Sequence, residues 1–123
     1  MKLLPFILLS LSLCFSINLS AAHHGEDTEK QKAVLVTGSN SGLGLKMAEE
    51  LSQNGFYVYA GVLHKHEMEA MNKMENVTAV QFDVRNQDEI DAAVKFVETQ
   101  GRGLYGLINN AVISVSGQPL ETH

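Results

Sequence analysis

Three short stretches of the chain hold residue types whose chemistry depends on their spacing. The first is Thr37-Gly38-Ser39-Asn40-Ser41-Gly42-Leu43-Gly44, where glycines fall as Gly-x-x-x-Gly-x-Gly directly after the apolar run Ala33 to Val36. A residue without Cβ lets backbone N–H groups approach an anion closely, and the first turn of a following helix offers unpaired donors with a partial positive charge. The stretch reads as a cradle for the phosphates of a mononucleotide or dinucleotide. Gly38 serves the tight turn, Gly42 the close backbone approach and Gly44 the close packing of helix on sheet, with Leu43 in the same turn. Ser39, Asn40 and Ser41 add hydroxyl and amide groups. A turn that merely needs glycines is the plainer reading, and the order strand, triad, helix counts against it.

The second stretch, Asp83-Val84, follows another apolar run. A carboxylate there can accept from the exocyclic amine of an adenine while the valine packs on the ring. An Asp at a strand end also serves as a cap or turn residue, and both readings stand. The third stretch, Asn109-Asn110-Ala111-Val112, follows the apolar run at Leu104 to Ile108.

These stations need elements to hold them, and the pattern from Ala33 onward is β-α-β-α-β-α-β. The first helix is expected from Ser41 or Gly42 to about Asn54, with Leu43, Met47 and Leu51 on one face and Gly55 as the stop. Phe56 to Val62 is rich in aromatic and β-branched residues, as a strand would be. Glu67 to Glu75 carries Met68, Met71 and Met74 at helical spacing, a core stripe rather than a ligand set, with Lys73 four residues after Glu69 on the solvated face. Val77 to Phe82 forms a third strand. The next helix opens with Asn86 as N-cap and Glu89 as its capping-box partner, buries Ile90, Ala93, Val94 and Val97, and closes at Gly101. Leu104 to Ile108 is the fourth strand. Strands alternating with helices imply right-handed crossovers and parallel pairing. The expectation is an α/β, Rossmann-like doubly wound parallel sheet of order 3-2-1-4, stopping after the fourth strand, with the glycine turn at the switch point where ligands bind.

Thr37-Gly38-x-x-x-Gly42-x-Gly44, Asp83-Val84 and Asn109-Asn110-Ala111, at this mutual spacing, resemble the short-chain dehydrogenase/reductase family from Lys32 to about Glu121. Val58 to Leu63 and Gly103 to Leu107 look most like the branch of retinol, 17β-hydroxysteroid and 3-hydroxybutyrate dehydrogenases. The resemblance implies hydride transfer between a nicotinamide and an alcohol or carbonyl, with a retinoid, steroid or hydroxy acid as substrate. It implies cofactor contacts from Gly38, Ser39, Ser41, Gly42, Leu43, Gly44, Asp83, Val84, Asn109 and Ala111, the Asn-Asn-Ala segment bracing the sheet and touching the adenosine ribose. Val112 stands where the family has Gly, and a β-branched residue does not follow the same close backbone path. The cofactor is NAD or NADP, with the branch leaning to NAD. Val62 and Leu63 occupy the end of the second strand, where an acid would bind NAD ribose hydroxyls, and Lys65 is either a partner for a 2′-phosphate or a solvated lysine.

The family's Tyr-x-x-x-Lys is not in these 123 residues: four residues after Tyr57, Tyr59 and Tyr105 stand Gly61, Leu63 and Asn109. Ser114 and Ser116 follow the Asn-Asn-Ala segment directly and read as loop. The chain is therefore expected to be the cofactor half of a dehydrogenase, a fragment with no catalytic residue. The alternative is a catalytically inactive nucleotide-binding or interaction module. Ending after the fourth strand would leave Tyr105, Leu107 and Ile108 partly uncovered. A homo-oligomer is an expectation for the complete form only.

With a net charge of −5 and no basic cluster, the chain is not built for nucleic acid. Residues 1–22 begin Met1-Lys2, continue through a Leu-, Ile- and Phe-rich stretch and end at Ser20-Ala21-Ala22. They read as a secretory signal peptide, or a membrane-associated signal-anchor if uncleaved. Cleavage would remove Cys14, the one cysteine. The chain is then expected in the lumen of the secretory pathway or outside the cell. Residues 23–32 read as a flexible leader in which His23-His24 lacks further ligands for a closed metal site, and residues 33–123 as the nucleotide-binding part. Asn76-Val77-Thr78 is a glycosylation sequon in the second helix-to-strand connection.

Overall fold

Apolar runs of four to six residues separated by amphipathic helices can bury both faces of a sheet only if the helices cross over it. The computed structural model, which describes residues 30–114, has that arrangement. Its elements are β1 (Ala33–Val36), α1 (Gly42–Gln53), β2 (Tyr57–Val62), α2 (Met68–Asn72), β3 (Val77–Gln81), α3 (Gln87–Thr99) and β4 (Gly106–Ile108), with one 3-10 turn at Lys65–Glu67 before α2. The four strands are parallel in the order β3-β2-β1-β4. The fold is Rossmann-like, as the alternation predicts. The signal sequence, His23-His24 and Ser116 lie outside the described residues.

The core has two halves because β-strand side chains alternate. On one face Val34, Val36, Val58, Ala60 and Val62 pack against Ala48 of α1 and Met71 of α2, with Met47, Leu51, Met68 and Met74 partly buried around them. On the other, Ala33, Tyr59, Val80 and Phe82 meet Ala93 and Val97 of α3. The methionine stripe is core, and Lys73 pairs with Glu69 at 2.9 Å on the solvent side.

Several local expectations change. Leu43 is 68 % exposed and points to solvent near the cleft, so α1 packs through Gly44, Leu45, Met47, Ala48 and Leu51 instead. Val94 is half-exposed because α3 meets the sheet only through Ala93 and Val97, with Ile90 beside them. Asn86 caps α3 by accepting from the N–H groups of Asp88 and Glu89, but Glu89 does not return to the Asn86 N–H. Its carboxylate accepts from Asp83 N at 2.7 Å and from Asn86 Nδ2 at 3.0 Å, while Asn86 N donates to Asp83 O. β4 begins at Gly106 rather than Leu104, since Gly103 takes φ +70° and only Tyr105 N reaches across to Ala33 O before the ladder starts. Leu104, Tyr105 and Leu107 are exposed, and Ile108 is half-buried against the core.

Candidate nucleotide-binding site

β1 and β4 run side by side, and at their carboxyl ends the glycine turn into α1 lies beside the segment that follows Asn109. This opens a cleft of about 700 Å³, within the range of small-ligand sites. Thr37 joins its two sides. Its hydroxyl oxygen accepts from Asn110 N and Ala111 N, both at 2.9 Å, and its own N–H donates to Ile108 O at 3.0 Å. Asn110 answers from the other side, its Nδ2 donating to Thr37 O at 3.2 Å and Gly38 O at 3.1 Å. The turn after β1 is thus tied to the segment after β4 by residues more than seventy positions apart.

The three glycines have different reasons. Gly38 is at φ +66°, and a Cβ there would lie 3.0 Å from Ala111 Cα. A Cβ on Gly44 would lie 2.0 Å from Gly38 O and 2.5 Å from Asn110 Nδ2, so what Gly44 permits is close contact of helix with turn and Asn110, rather than with the sheet surface. Gly42, at φ +55°, has open space where its side chain would be. Ser41 precedes α1 without capping it through its side chain. By helix geometry the N–H groups of Gly42, Leu43 and Gly44 have no intrahelical acceptor, which is the property an anion uses.

Ser39 is turned away from the cleft: it is fully buried, its hydroxyl donates to Val36 O at 2.6 Å and its N–H to Gly61 O at 2.9 Å. Gly38, Ser41, Leu43, Asp83, Val84 and Ala111 line the cleft, whereas Ser39, Gly42, Gly44 and Asn109 shape or flank it. Asn109 is exposed, and it is Asn110 that braces the turn. Val112 is 89 % exposed at the cleft mouth and has no positive φ, so the chain passes the cleft without the close path a glycine would allow.

The opposite wall is made of side-chain pairs. Asn40 Nδ2 donates to Glu67 Oε1 at 2.7 Å, and Glu67 Oε2 accepts from His64 N at 2.9 Å, which links the glycine turn to the loop after β2. The rings of His64 and His66 stack with centroids 5.5 Å apart. Asp83 is clasped by Arg85, whose Nε lies 3.0 and 3.1 Å from its two oxygens and whose terminal nitrogen lies 2.6 Å from one of them, with the Arg85 N–H on Oδ1 at 2.9 Å. These bonds hold the Asp83 carboxyl at a pKa of about 2, and Asp83 raises that of Arg85 in return. The adenine acceptor proposed from sequence is therefore already a turn residue, with a carboxylate lone pair left to offer. Glu67 and Arg85 were not among the sequence candidates, and Thr37 and Asn110 stood inside candidate stretches without a role of their own. Each acts through a partner that periodicity does not reveal. Among the described residues no group of three His, Cys, Asp or Glu side chains could hold a metal ion.

A parallel sheet of this order, with a glycine turn locked at its switch point beside a cleft, defines a Rossmann-like α/β domain. Residues 32–123 match the family described as short chain dehydrogenase, and the chain belongs to that family. It is 37% identical over 103 residues to the mitochondrial D-beta-hydroxybutyrate dehydrogenase of Rattus norvegicus, covering 75% of this chain and 30% of that protein. It is also 37% identical over 115 residues to estradiol 17-beta-dehydrogenase 2 of the same organism, covering 89% of this chain and 30% of that protein. The crystal structure of L-sorbose reductase from Gluconobacter frateurii, complexed with NADPH and L-sorbose, superposes with a TM-score of 0.66 at 27% identity, over 76% of this chain and 38% of that one. The chain thus spans about a third of the length of the curated relatives it matches.

Proposed function

We propose that this chain binds the adenosine diphosphate part of NAD or NADP and belongs to an oxidoreductase acting on an alcohol or ketone. The observation that carries this is the Thr37–Asn110 lock, which holds the glycine turn open toward the unpaired N–H groups of α1. Support for NAD over NADP comes from Glu67, a carboxylate brought to the cleft five residues after β2, where it would accept from ribose hydroxyls and repel a 2′-phosphate. Lys65 does not line the cleft, and the Arg85 guanidinium is committed to Asp83. The names of the relatives favour a hydroxy acid or a steroid as substrate.

The second reading is a nucleotide-binding or interaction module without catalysis of its own, and cofactor binding by these residues is common to both. On the first reading the acid/base pair comes from residues other than these 123. For localisation we favour the secretory pathway, with membrane association if the leader is retained. The first 22 residues contain no Arg and one apolar stretch, unlike the Arg-rich amphipathic leaders of mitochondrial import.

Thermal unfolding with NAD⁺, NADH, NADP⁺ and NADPH tests the proposal. A ligand at a hundredfold excess over its Kd stabilises by about 2.7 kcal/mol, so Tm rises saturably, more with the NAD pair. No rise with any of the four at millimolar concentration contradicts nucleotide binding, and alcohol oxidation by the isolated chain contradicts the assignment of its acid/base pair to residues outside it.

A further inference from the structure

We infer that Asn76 is an acceptor for N-linked glycosylation, an inference that rests on the secretory-pathway reading above. The triplet Asn76-Val77-Thr78 spans the turn from α2 into β3. Asn76 is half-exposed at φ +59°, the one non-glycine residue with positive φ among those described. Its carbonyl accepts from Val58 N at 2.8 Å. Asn76 stands at the amino end of β3 and the cleft residues Phe82 to Arg85 follow its carboxyl end. Five strand residues separate the two, about 16 Å at strand rise. A glycan there leaves the nucleotide cleft open.

The position has a physical use. Among the described residues β3 is an outermost strand, paired only with β2, and on its other edge the Ala79 N–H is covered by Asn72 Oδ1 at 2.7 Å. A large hydrated group at the entrance to that strand obstructs edge-to-edge association.

The geometry also times the reaction. In the folded chain Val77 is buried and the Thr78 hydroxyl is hydrogen-bonded to the Tyr57 hydroxyl across the β2–β3 pair. The extended, accessible triplet that transfer requires exists only before β3 joins the sheet, so the glycan is added to the entering chain. In that step Asn76 Nδ2 forms a bond to the anomeric carbon of a lipid-diphosphate-linked oligosaccharide. The bond from that carbon to the phosphate oxygen breaks, the lipid diphosphate leaves and one amide proton passes to a base. The other sequon, Asn18-Leu19-Ser20, lies inside the apolar leader.

The test translates the full chain with microsomes, once with its own leader and once with residues 23–123 behind a signal sequence of proven translocation. Protease protection reads entry and a mobility shift reversed by peptide-N-glycosidase reads the glycan. With the proven signal, the protected chain is expected to shift once. Thr78→Ser retains the shift, and Thr78→Ala and Asn76→Gly, the latter suited to the positive φ, abolish it. Folded chain supplied afterwards to the same donor and transferase stays unshifted. A protected chain that does not shift, or an Asn76→Gly chain that does, overturns the inference. Failure of protection with the native leader alone overturns the secretory reading, while the second arm still decides Asn76.

Discussion

The two walls of the cleft are built by different means. On one side the turn after β1 is fixed by backbone and near-backbone contacts: the Thr37 hydroxyl on two N–H groups, Asn110 on two carbonyls, and a glycine at 44 because Gly38 O occupies the space a Cβ would need. On the other side, exposed side chains pair with half-buried carboxylates, Asn40 with Glu67 and Arg85 with Asp83. Contacts of the first kind cannot loosen without disturbing β1 and β4. Contacts of the second kind are exchangeable with solvent or with a ligand and are worth little in isolation. The wall proposed for the phosphates is therefore preorganised by folding, and the wall proposed for the adenosine is able to trade its internal partners for those of a ligand.

The contrast breaks most sharply at the glycines. Gly44→Ala places a Cβ against a backbone oxygen that belongs to the turn itself, so it is expected to cost about 3 kcal/mol, the upper end of overpacking penalties, and to abolish nucleotide binding. Gly42→Ala meets no protein atom and carries only the left-handed backbone cost of about 1–2 kcal/mol, so it loses less stability, and its Cβ at the open approach to the turn weakens binding without abolishing it. Urea midpoints and nucleotide-induced shifts for the pair check this, and equal losses would contradict the clash argument.

A smaller effect is expected at Thr37. Thr37→Val keeps the shape but leaves Asn110 N and Ala111 N without their acceptor, a loss of about 2 kcal/mol, and Thr37→Ser restores most of it. Equilibrium unfolding of the two variants separates lost hydroxyl from lost packing.

The smallest effect belongs to the exposed wall. The side-chain and backbone donors of Arg85 depress the Asp83 pKa, so the pair favours the folded state above the ordinary carboxylate value of about 3.9, and that contribution is lost as pH falls through about 2. Asp83→Asn should lower stability above about pH 4 by a small amount, screened by solvent, and flatten the acid limb of the stability profile between about pH 4 and 2 by that same amount. An unchanged acid limb would show that the clasp does not persist in solution.

Local signals were sufficient for the order of elements. The sheet order follows from strand-helix alternation and a glycine turn, and the Asn86 cap and the methionine stripe lie within one turn of their partners. What escaped the sequence depends on distant partners. Thr37 and Asn110 stand inside stretches singled out for chemistry, yet their joint role needs β4 beside β1. Asn109 drew attention in place of Asn110 because one residue decides which side chain turns inward at a strand end. Leu43 fits a helical stripe by count, but the first turn of α1 projects past the sheet and leaves it exposed. Glu89 matched a capping box by spacing and was drawn instead to the free N–H of Asp83.

The central claim, that a backbone-built wall receives the dinucleotide phosphates, is tested most directly by titrating NADH into wild-type, Gly42→Ala and Gly44→Ala chains in a calorimeter. The expected result is saturable one-to-one binding to the wild type, weaker binding to Gly42→Ala and none to folded Gly44→Ala. Binding of equal strength to all three, or to none, would contradict it.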